Sequence, residues 1–346
     1  MQKKNKRKFK SKTLPTSFDD FEDKQPLNCP TCNSKKDVIK YGTRNVKSEA
    51  IQVYLCKSCN HRFTNRPIQH FPYPTTLILN ALTYFNLGHT LAQTQTTMQR
   101  KHKTKIPIST LNNWVKRFDP ELSFIRLRKN YNINPQTAIH SKKFHHQQVY
   151  EFKYHTLKTN FTKRFFPQLK TYIIAIHKTP YFIPDTAFKT GPRASQLKID
   201  LKPQKTTKHN NAPRMAELAL SLAKTNRERH QVIENFFLAN DSTTVAIEVP
   251  VYIKPNELTK AEQKDYGLKL TEPLSGHIDI LQQRFTKIHI LDYKPDAKKS
   301  DKTTADQLFL YALALSKRTK IPLRNIICAY FDENNYFQIN LSNDIT

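Results

Sequence analysis

Gly276-His277-Ile278-Asp279-Ile280 and Ile290-Leu291-Asp292-Tyr293-Lys294-Pro295 are the two strings whose reading decides the fold. Each reads as a short β-strand that ends in an acid. In the second, Asp292 and Lys294 stand two residues apart, so both project from one face of the strand. Two carboxylates can hold a divalent cation, and an ammonium beside them can orient or activate a water. That is the equipment for metal-dependent phosphodiester hydrolysis.

Working outward, the surrounding elements alternate between helix and strand. A helix begins at Ala216–Ala223, and a second runs through Glu228–Leu238, with His230 and Glu234 one turn apart. Ala246–Ile253 reads as a strand carrying Glu248. The Gly276 and Ile290 strings then form a hairpin-like pair. Thr304–Ser316 is an amphipathic helix with Gln307 and Tyr311 on one face. Asn325–Phe331 and Tyr336–Leu341 read as strands around a turn at Asp332–Asn335. Taken singly these pieces are weak, because an Asp-x-Lys on a strand is more often a surface ion pair and a lone His is more often packed.

Charge is unevenly distributed along the 346 residues, whose net is +29. Residues 1–130 carry 25 Lys+Arg against 8 Asp+Glu, residues 131–212 carry 14 against 3, and residues 213–346 carry 18 against 17. The nearly neutral C-terminal part holds the paired acids, and the first 212 residues supply the grip on a polyanion. DNA is the expected partner, with RNA left open because basic and aromatic residues do not distinguish the two. No apolar run approaches the roughly 18 residues needed to span a bilayer, and no membrane partner is expected. Five cysteines fit no secreted disulfide framework. The expected setting is intracellular, cytoplasmic and nucleoid-associated.

Residues 1–24 read as a basic arm, disordered until it meets phosphate. Residues 25–70 contain Cys29-Pro-x-Cys32 and, after a gap of 23 residues, Cys56-x-x-Cys59. Two such knuckles complete a tetrahedral thiolate shell for structural zinc. Val38–Tyr41 and Ile51–Leu55 read as strands between them, and His61 as a phosphate or solvent contact. Residues 71–120 read as three helices. Ile78, Ala81, Leu82 and Phe85 line the first; Thr90–His102 is the second. Leu111, Trp114, Val115 and Phe118 line the third, with Ser109 as its N-cap. Thr110, Asn112, Asn113, Lys116 and Arg117 lie off that apolar stripe, free to reach a DNA groove as in a helix-turn-helix. Residues 121–212 read as a basic linker or nucleic-acid-contacting region, where a spacer and a stacking surface are equally admissible.

The ribbon and helices, Cys29 to Phe118, resemble the DNA-binding region of many prokaryotic and archaeal transposases. Residues 213–346 resemble the RecB-like branch of the PD-(D/E)XK nucleases, with the matching order His230, Asp279, Asp292-x-Lys294, Gln307-x-x-x-Tyr311. The resemblance implies a multidomain α/β protein: a small zinc ribbon, a three-helix helix-turn-helix, a basic linker and a nuclease core with a mixed central sheet flanked by helices. It implies that His230, Asp279 and Asp292, with the Tyr293 carbonyl, ligate catalytic Mg²⁺ or Mn²⁺. By the same resemblance Lys294 acts on the attacking water, Gln307 and Tyr311 position Lys294 or the DNA backbone, and Glu248 has at most a secondary role. His277 stands where an Arg is common and is expected to touch DNA or solvent. Cys328 is expected in the core, with no iron–sulfur cluster.

The expected function is a metal-dependent DNA endonuclease targeted by a transposase-like module and linked to a mobile element or recombination. A double-strand cut from one site per chain would call for a homodimer. The alternative is a sequence-specific DNA-binding regulator or element-end protein whose nuclease fold is silent. A strand-transfer enzyme would need a third acid on the helix after Asp292, where Gln307 and Tyr311 stand instead.

Overall fold

A computed structural model describes residues 27–46, 49–68, 71–189, 191–199, 204–299 and 302–340. The basic arm at 1–24 lies outside the described residues. The chain divides into two compact units, Met1–Gln69 and His70–Thr346.

In the first unit, β1 (Val38–Val46), β2 (Glu49–Cys56) and β3 (Arg62–Thr64) form an antiparallel sheet in that order. The two cysteine knuckles obey one local rule. Each Cys-x-x-Cys is followed by an asparagine in the left-handed region, Asn33 (φ 58°) and Asn60 (φ 55°), a conformation that Asn tolerates better than most residues. The first cysteine of each donates its N–H across the turn, Cys29 to the Ser34 carbonyl and Cys56 to the His61 carbonyl, both at 2.9 Å. Asp37 ties the knuckles together by accepting from both Ser34 Oγ and Ser58 Oγ.

The second unit opens with α1 (Thr75–Asn86), α2 (Leu91–His102), α3 (Ile108–Arg117) and α4 (Phe124–Asn130). There follow β4 (Ile139–His146), β5 (Gln148–His155), α5 (Thr156–Thr162), α6 (Pro167–Lys178), α7 (Thr186–Lys189) and β6 (Gln204–Thr207). The remainder is α8 (Ala212–Leu220), α9 (Arg229–Asn240), β7 (Thr244–Ile253), α10 (Lys260–Asp265), β8 (Leu274–Arg284), β9 (Lys287–Tyr293), α11 (Lys302–Thr319), β10 (Ile326–Phe331) and β11 (Tyr336–Asn340). Eight strands make one mixed sheet in the order β4-β5-β7-β8-β9-β10-β11-β6. Strands β9 and β10 are parallel, with α11 as their crossover, while β7, β8 and β9 are antiparallel neighbours. Helix α11 buries Leu308, Leu310, Ala312, Leu313 and Leu315. Each fully buried leucine contributes roughly 1.5–3 kcal/mol of apolar transfer energy to this crossover.

Two expectations are corrected by these elements. The segment 121–212, read as a linker, supplies three strands of the central sheet and part of its core. Phe144, Phe152, Leu169, Tyr172, Ile173 and Ile176 all belong to the main buried cluster. The physical reason was present in the sequence: Tyr150, Phe152 and Tyr154 alternate as a strand does, and Leu169, Tyr172, Ile173 and Ile176 recur as a helix face does. The intervening positions, Glu151, Lys153, Lys170 and His177 among them, are polar and half-buried, and their charges mask the pattern. Similarly, α3 begins at Ile108, one residue before the expected cap Ser109, because Pro107 pre-sets the backbone that enters the helix.

The four-helix segment and the sheet share one unit through buried polar contacts. Asn86 Nδ2 donates to Asn240 Oδ1 (2.9 Å), and Asn240 Nδ2 donates to Thr83 Oγ1 (3.0 Å). Asp241 accepts from Ser123 Oγ (3.2 Å), Thr244 Oγ1 (2.6 Å) and Gln282 Nε2 (2.9 Å). Lys158, itself buried, donates to the carbonyls of Leu238 and Asp241, where α9 ends. A cation there satisfies carbonyls that the helix leaves open.

Candidate active site and metal centre

Four elements bring their acids to one place. On α9, His230 and Glu234 are separated by four residues and therefore face the same way. Strand β8 carries Asp279 and β9 carries Asp292, with Lys294 just past its end, where its N–H donates to the Phe331 carbonyl at 2.9 Å. On β7, Glu248 has φ 49°. A residue other than Gly, Asn or Asp in this conformation is uncommon and costs on the order of 1–3 kcal/mol. The ladder keeps its register here, with Ile247 opposite Ile280 and Val249 opposite Ile278, so Glu248 and Asp279 face each other across the two strands. Both residues are half-buried.

The distances are those of a ligand cage. One donor atom from each of His230, Glu234 and Asp279 lies within 4.8 Å of the other two. His230 Nδ1 is 3.8 Å from Asp279 Oδ2, and Lys294 Nζ is 2.8 Å from Asp292 Oδ2. Asp292 is only 1% exposed and Glu234 5%, and neither Asp292 oxygen has a hydrogen-bond partner of good geometry. Several buried carboxylates around a single ammonium are costly unless protonated or ligating a cation.

The protonation pattern says the same. Burial and the neighbouring Asp279 charge push Asp292 well above the ordinary carboxyl range, against the pull of Lys294. Burial, then Glu248, Asp279 and Asp292, raise Glu234 likewise. Burial and Asp279 bring Glu248 up to about 8, with Arg193 opposing. For Asp279 burial also pushes upward, but contacts with His230 and Asp292 and the charge of Lys294 win and hold it low. Burial depresses Lys294, yet Asp292 and Asp279 raise it beyond the usual lysine range. Protons thus stand where a divalent cation would neutralise the cluster, and an oxygen-rich set with one imidazole suits Mg²⁺ or Mn²⁺.

Helix α11 closes the cluster from one side. Gln307 Nε2 donates to Tyr311 Oη at 2.9 Å. The Tyr311 ring lies on Gly276: a Cβ built there would come within 2.3 Å of Tyr311 Cε1. The glycine that opens the Gly276–Ile280 string is therefore the seat of Tyr311. Tyr293 is buried between Asp292 and Lys294, its ring 5.2 Å edge-on to His230 and its hydroxyl 3.4 Å from Glu333.

The structure thus brings together His230, Asp279, Asp292, Lys294, Gln307 and Tyr311, and adds Glu234. The signal for Glu234 was its i, i+4 spacing from His230. His277 corrects the expectation of a DNA or solvent contact. It is 3% exposed, its Nε2 is 3.0 Å from His146 Nδ1, and its ring stacks on Tyr150 at 3.8 Å. The strands β4 and β5 that cover it come from the segment read as a linker. Cys328 is fully buried in β10. Asp306 on α11 is buried with Oδ2 accepting from the Ile199 N–H at 3.4 Å.

In the first unit the four Sγ atoms of Cys29, Cys32, Cys56 and Cys59 all lie within 4.8 Å of one another, with Cys29–Cys59 and Cys32–Cys56 at 3.5 Å. All four are free thiols. Tetrahedral zinc at about 2.3 Å from each sulfur would set them about 3.8 Å apart, so the cluster fits that ion. On α3, Asn113, Lys116 and Arg117 are exposed and Thr110 and Asn112 half-buried, while Leu111, Trp114 and Val115 are buried. His61 is exposed and stacks on Phe63. Among the described residues no helix is long and apolar enough to cross a membrane.

No curated protein and no solved structure matches the chain. Residues 216–338, which carry the whole cluster of acids, match the family model described as the PD-(D/E)XK nuclease superfamily.

Proposed function

We propose that this protein is a metal-dependent DNA endonuclease. The observation that carries the reading is the convergence of His230, Glu234, Asp279, Asp292 and Lys294 from α9, β8 and the end of β9. His230, Asp279 and Asp292 would hold Mg²⁺ or Mn²⁺, with Glu234 and the Tyr293 carbonyl as further oxygen donors. When bound, the cation polarises the scissile phosphate and stabilises charge on the leaving oxygen. Lys294, kept protonated by the two aspartates, donates hydrogen bonds that orient the attacking water and offset negative charge. Gln307 and Tyr311 hold the far wall of the site, and Glu248 adds a negative charge when a bound cation displaces its proton.

The cysteine cluster with zinc and the three helices α1–α3 would deliver the DNA. Their support is the exposed Asn113, Lys116 and Arg117 on α3 and the surplus of positive charge before residue 213. Targeting in the manner of a transposase, and a link to a mobile element, rest on analogy alone. A double-strand cut with one cluster per chain would take two copies of the protein.

The test is a cleavage assay on supercoiled, linear and single-stranded DNA with Mg²⁺ or Mn²⁺. Cleavage is expected to need the cation and to be lost in Asp292→Ala and in Lys294→Ala with DNA binding retained. Full cleavage by either variant overturns the reading.

A further inference from the structure

Arg193 stands beside the start of β8, the strand that carries Asp279, from outside the segment that matches the nuclease superfamily, and its placement is built. The loop that carries it is pinned to the start of β8. Arg193 forms a parallel bridge with Ser275, and the Ser275 N–H donates to the Pro192 carbonyl at 3.2 Å. A Cβ on Gly191 would fall 1.7 Å from the Pro273 carbonyl oxygen, so only glycine allows this approach. The Arg193 N–H is in turn held by Gln196 Oε1 at 3.1 Å.

The side chain is equally constrained. The guanidinium donates to the Tyr150 hydroxyl and lies 5.4 Å from that ring's centroid. Tyr150 stacks on His277 with the rings 6° from parallel, two residues before Asp279. His277 is backed by His146, whose ring stacks on Phe188 at 3.8 Å. A wall of aromatic rings thus fixes the cation beside β8. The Tyr150 hydroxyl uses part of its donor capacity. Among the described residues it has no carboxylate within ion-pair distance. Its charge is nonetheless felt at Glu248 and Tyr311, which border the acids. A half-buried guanidinium with free donors beside a cation site is matched by a phosphodiester oxygen pair, which it can bind in a fork.

We propose that Arg193 is a substrate-binding residue that grips a backbone phosphate of the nucleic acid next to the scissile bond, held in place by the Tyr150–His277–His146 stack. The proposal rests on the nuclease reading for the identity of the scissile bond. The phosphate contact itself can be measured without turnover.

The experiment compares the full-length protein with Arg193→Ala, Arg193→Lys and Tyr150→Phe. Dissociation constants for a short DNA duplex are measured from low to moderate salt in Ca²⁺, and KM and kcat in Mg²⁺. Loss of one phosphate contact lowers the salt slope by about 0.9. Arg193→Ala is expected to show that drop and a KM raised about tenfold, with melting temperature retained. Arg193→Lys should keep the slope but show an intermediate KM, because a point charge cannot reproduce the fork. Tyr150→Phe should keep the slope with a smaller rise in KM. An unchanged slope in a folded Arg193→Ala protein overturns the proposal. If that variant fails to fold, a wild-type KM in Arg193→Lys overturns it instead. A wild-type chain that never cleaves would refute the nuclease reading and leave the salt slope to decide the contact.

Discussion

Gly276→Ala adds one methyl group where the structure has no room for it. The new Cβ would lie 2.3 Å from Tyr311 Cε1, 3.1 Å from Cζ and 3.2 Å from Cδ1. Ordinary carbon contacts are about 3.5–4.0 Å, so the ring edge must retreat by more than about 1 Å. It has little freedom to do so: Tyr311 is 6% exposed, its hydroxyl is bonded to Gln307, and α11 is packed along its length. Overpacking of this kind costs about 1–3 kcal/mol. For a body of this size each kcal/mol lowers the melting temperature by about 2–4 °C, giving a drop of several degrees. Activity should suffer more than stability, because a displacement of about 1 Å in a positioning group can cost about 100-fold in rate. Thermal melting followed by circular dichroism reads the first effect, and cleavage turnover under single-turnover conditions reads the second. Adding Tyr311→Leu to Gly276→Ala should restore part of the melting temperature but none of the rate, since the smaller side chain vacates the clash. A Gly276→Ala protein that melts and cleaves like the wild type would refute the seating of Tyr311 on Gly276.

Three further outcomes follow from the same geometry. Glu234→Gln keeps the shape of α9 but removes a carboxylate within 4.8 Å of the His230 and Asp279 ligand atoms, so Mn²⁺ affinity by calorimetry should fall about tenfold or more; an unchanged affinity excludes Glu234 from the cage. In metal-free buffer Glu248 keeps its proton up to about pH 8 when folded but releases it near 4.5 when unfolded. The folded state therefore binds the extra proton across that window, and the stability it contributes is lost as pH rises from 4.5 to 8. Denaturant titrations should show a shallower pH slope in Glu248→Gln, and an identical slope would sink this account. Finally, a strong chelator or Cys56→Ser should unfold the first unit, seen as lost dispersion in amide NMR signals of residues 27–68, because metal and fold are one equilibrium in so small a core; retained dispersion after verified metal removal would count against the zinc reading.

How much of this was legible in the sequence depends on whether the signal was local. The Asp279 and Asp292 strands, the α11 stripe and the two cysteine knuckles are each set by spacing within a few residues, and spacing survives into the fold. Glu234 could have been read from the same rule, since it shares a helix face with His230. Glu248 could not: its importance comes from a left-handed backbone and a place opposite Asp279 across the β7–β8 ladder, which no periodicity announces. Arg193 and the burial of His277 were also illegible, because both depend on β4, β5 and the loop after α7 closing over β8 from a distant part of the chain. The positive charge of residues 131–212 argued for an open, solvated segment. In the fold Lys143 and Lys178 are exposed on elements whose inward positions are Phe144, Leu169 and Ile173, while Lys158 is itself buried.

That incorporation alters the electrostatic argument for the site. Four carboxyl groups gathered at Glu234, Glu248, Asp279 and Asp292 repel one another, and a polyanion, to the extent that they ionise, and charge on a separately tethered module would be screened beyond about a Debye length of 8–10 Å. The basic strands and loops of residues 131–212 are instead part of the same sheet as the acids, with Arg193, Lys153 and Lys294 all close enough to act on them electrostatically. Those cations offset part of the acids' mutual repulsion but not all of it, since Glu234 and Asp292 still hold protons against their ordinary preference. A divalent cation would complete the neutralisation, so cation and phosphate should each strengthen the binding of the other by the same factor, as thermodynamic linkage requires.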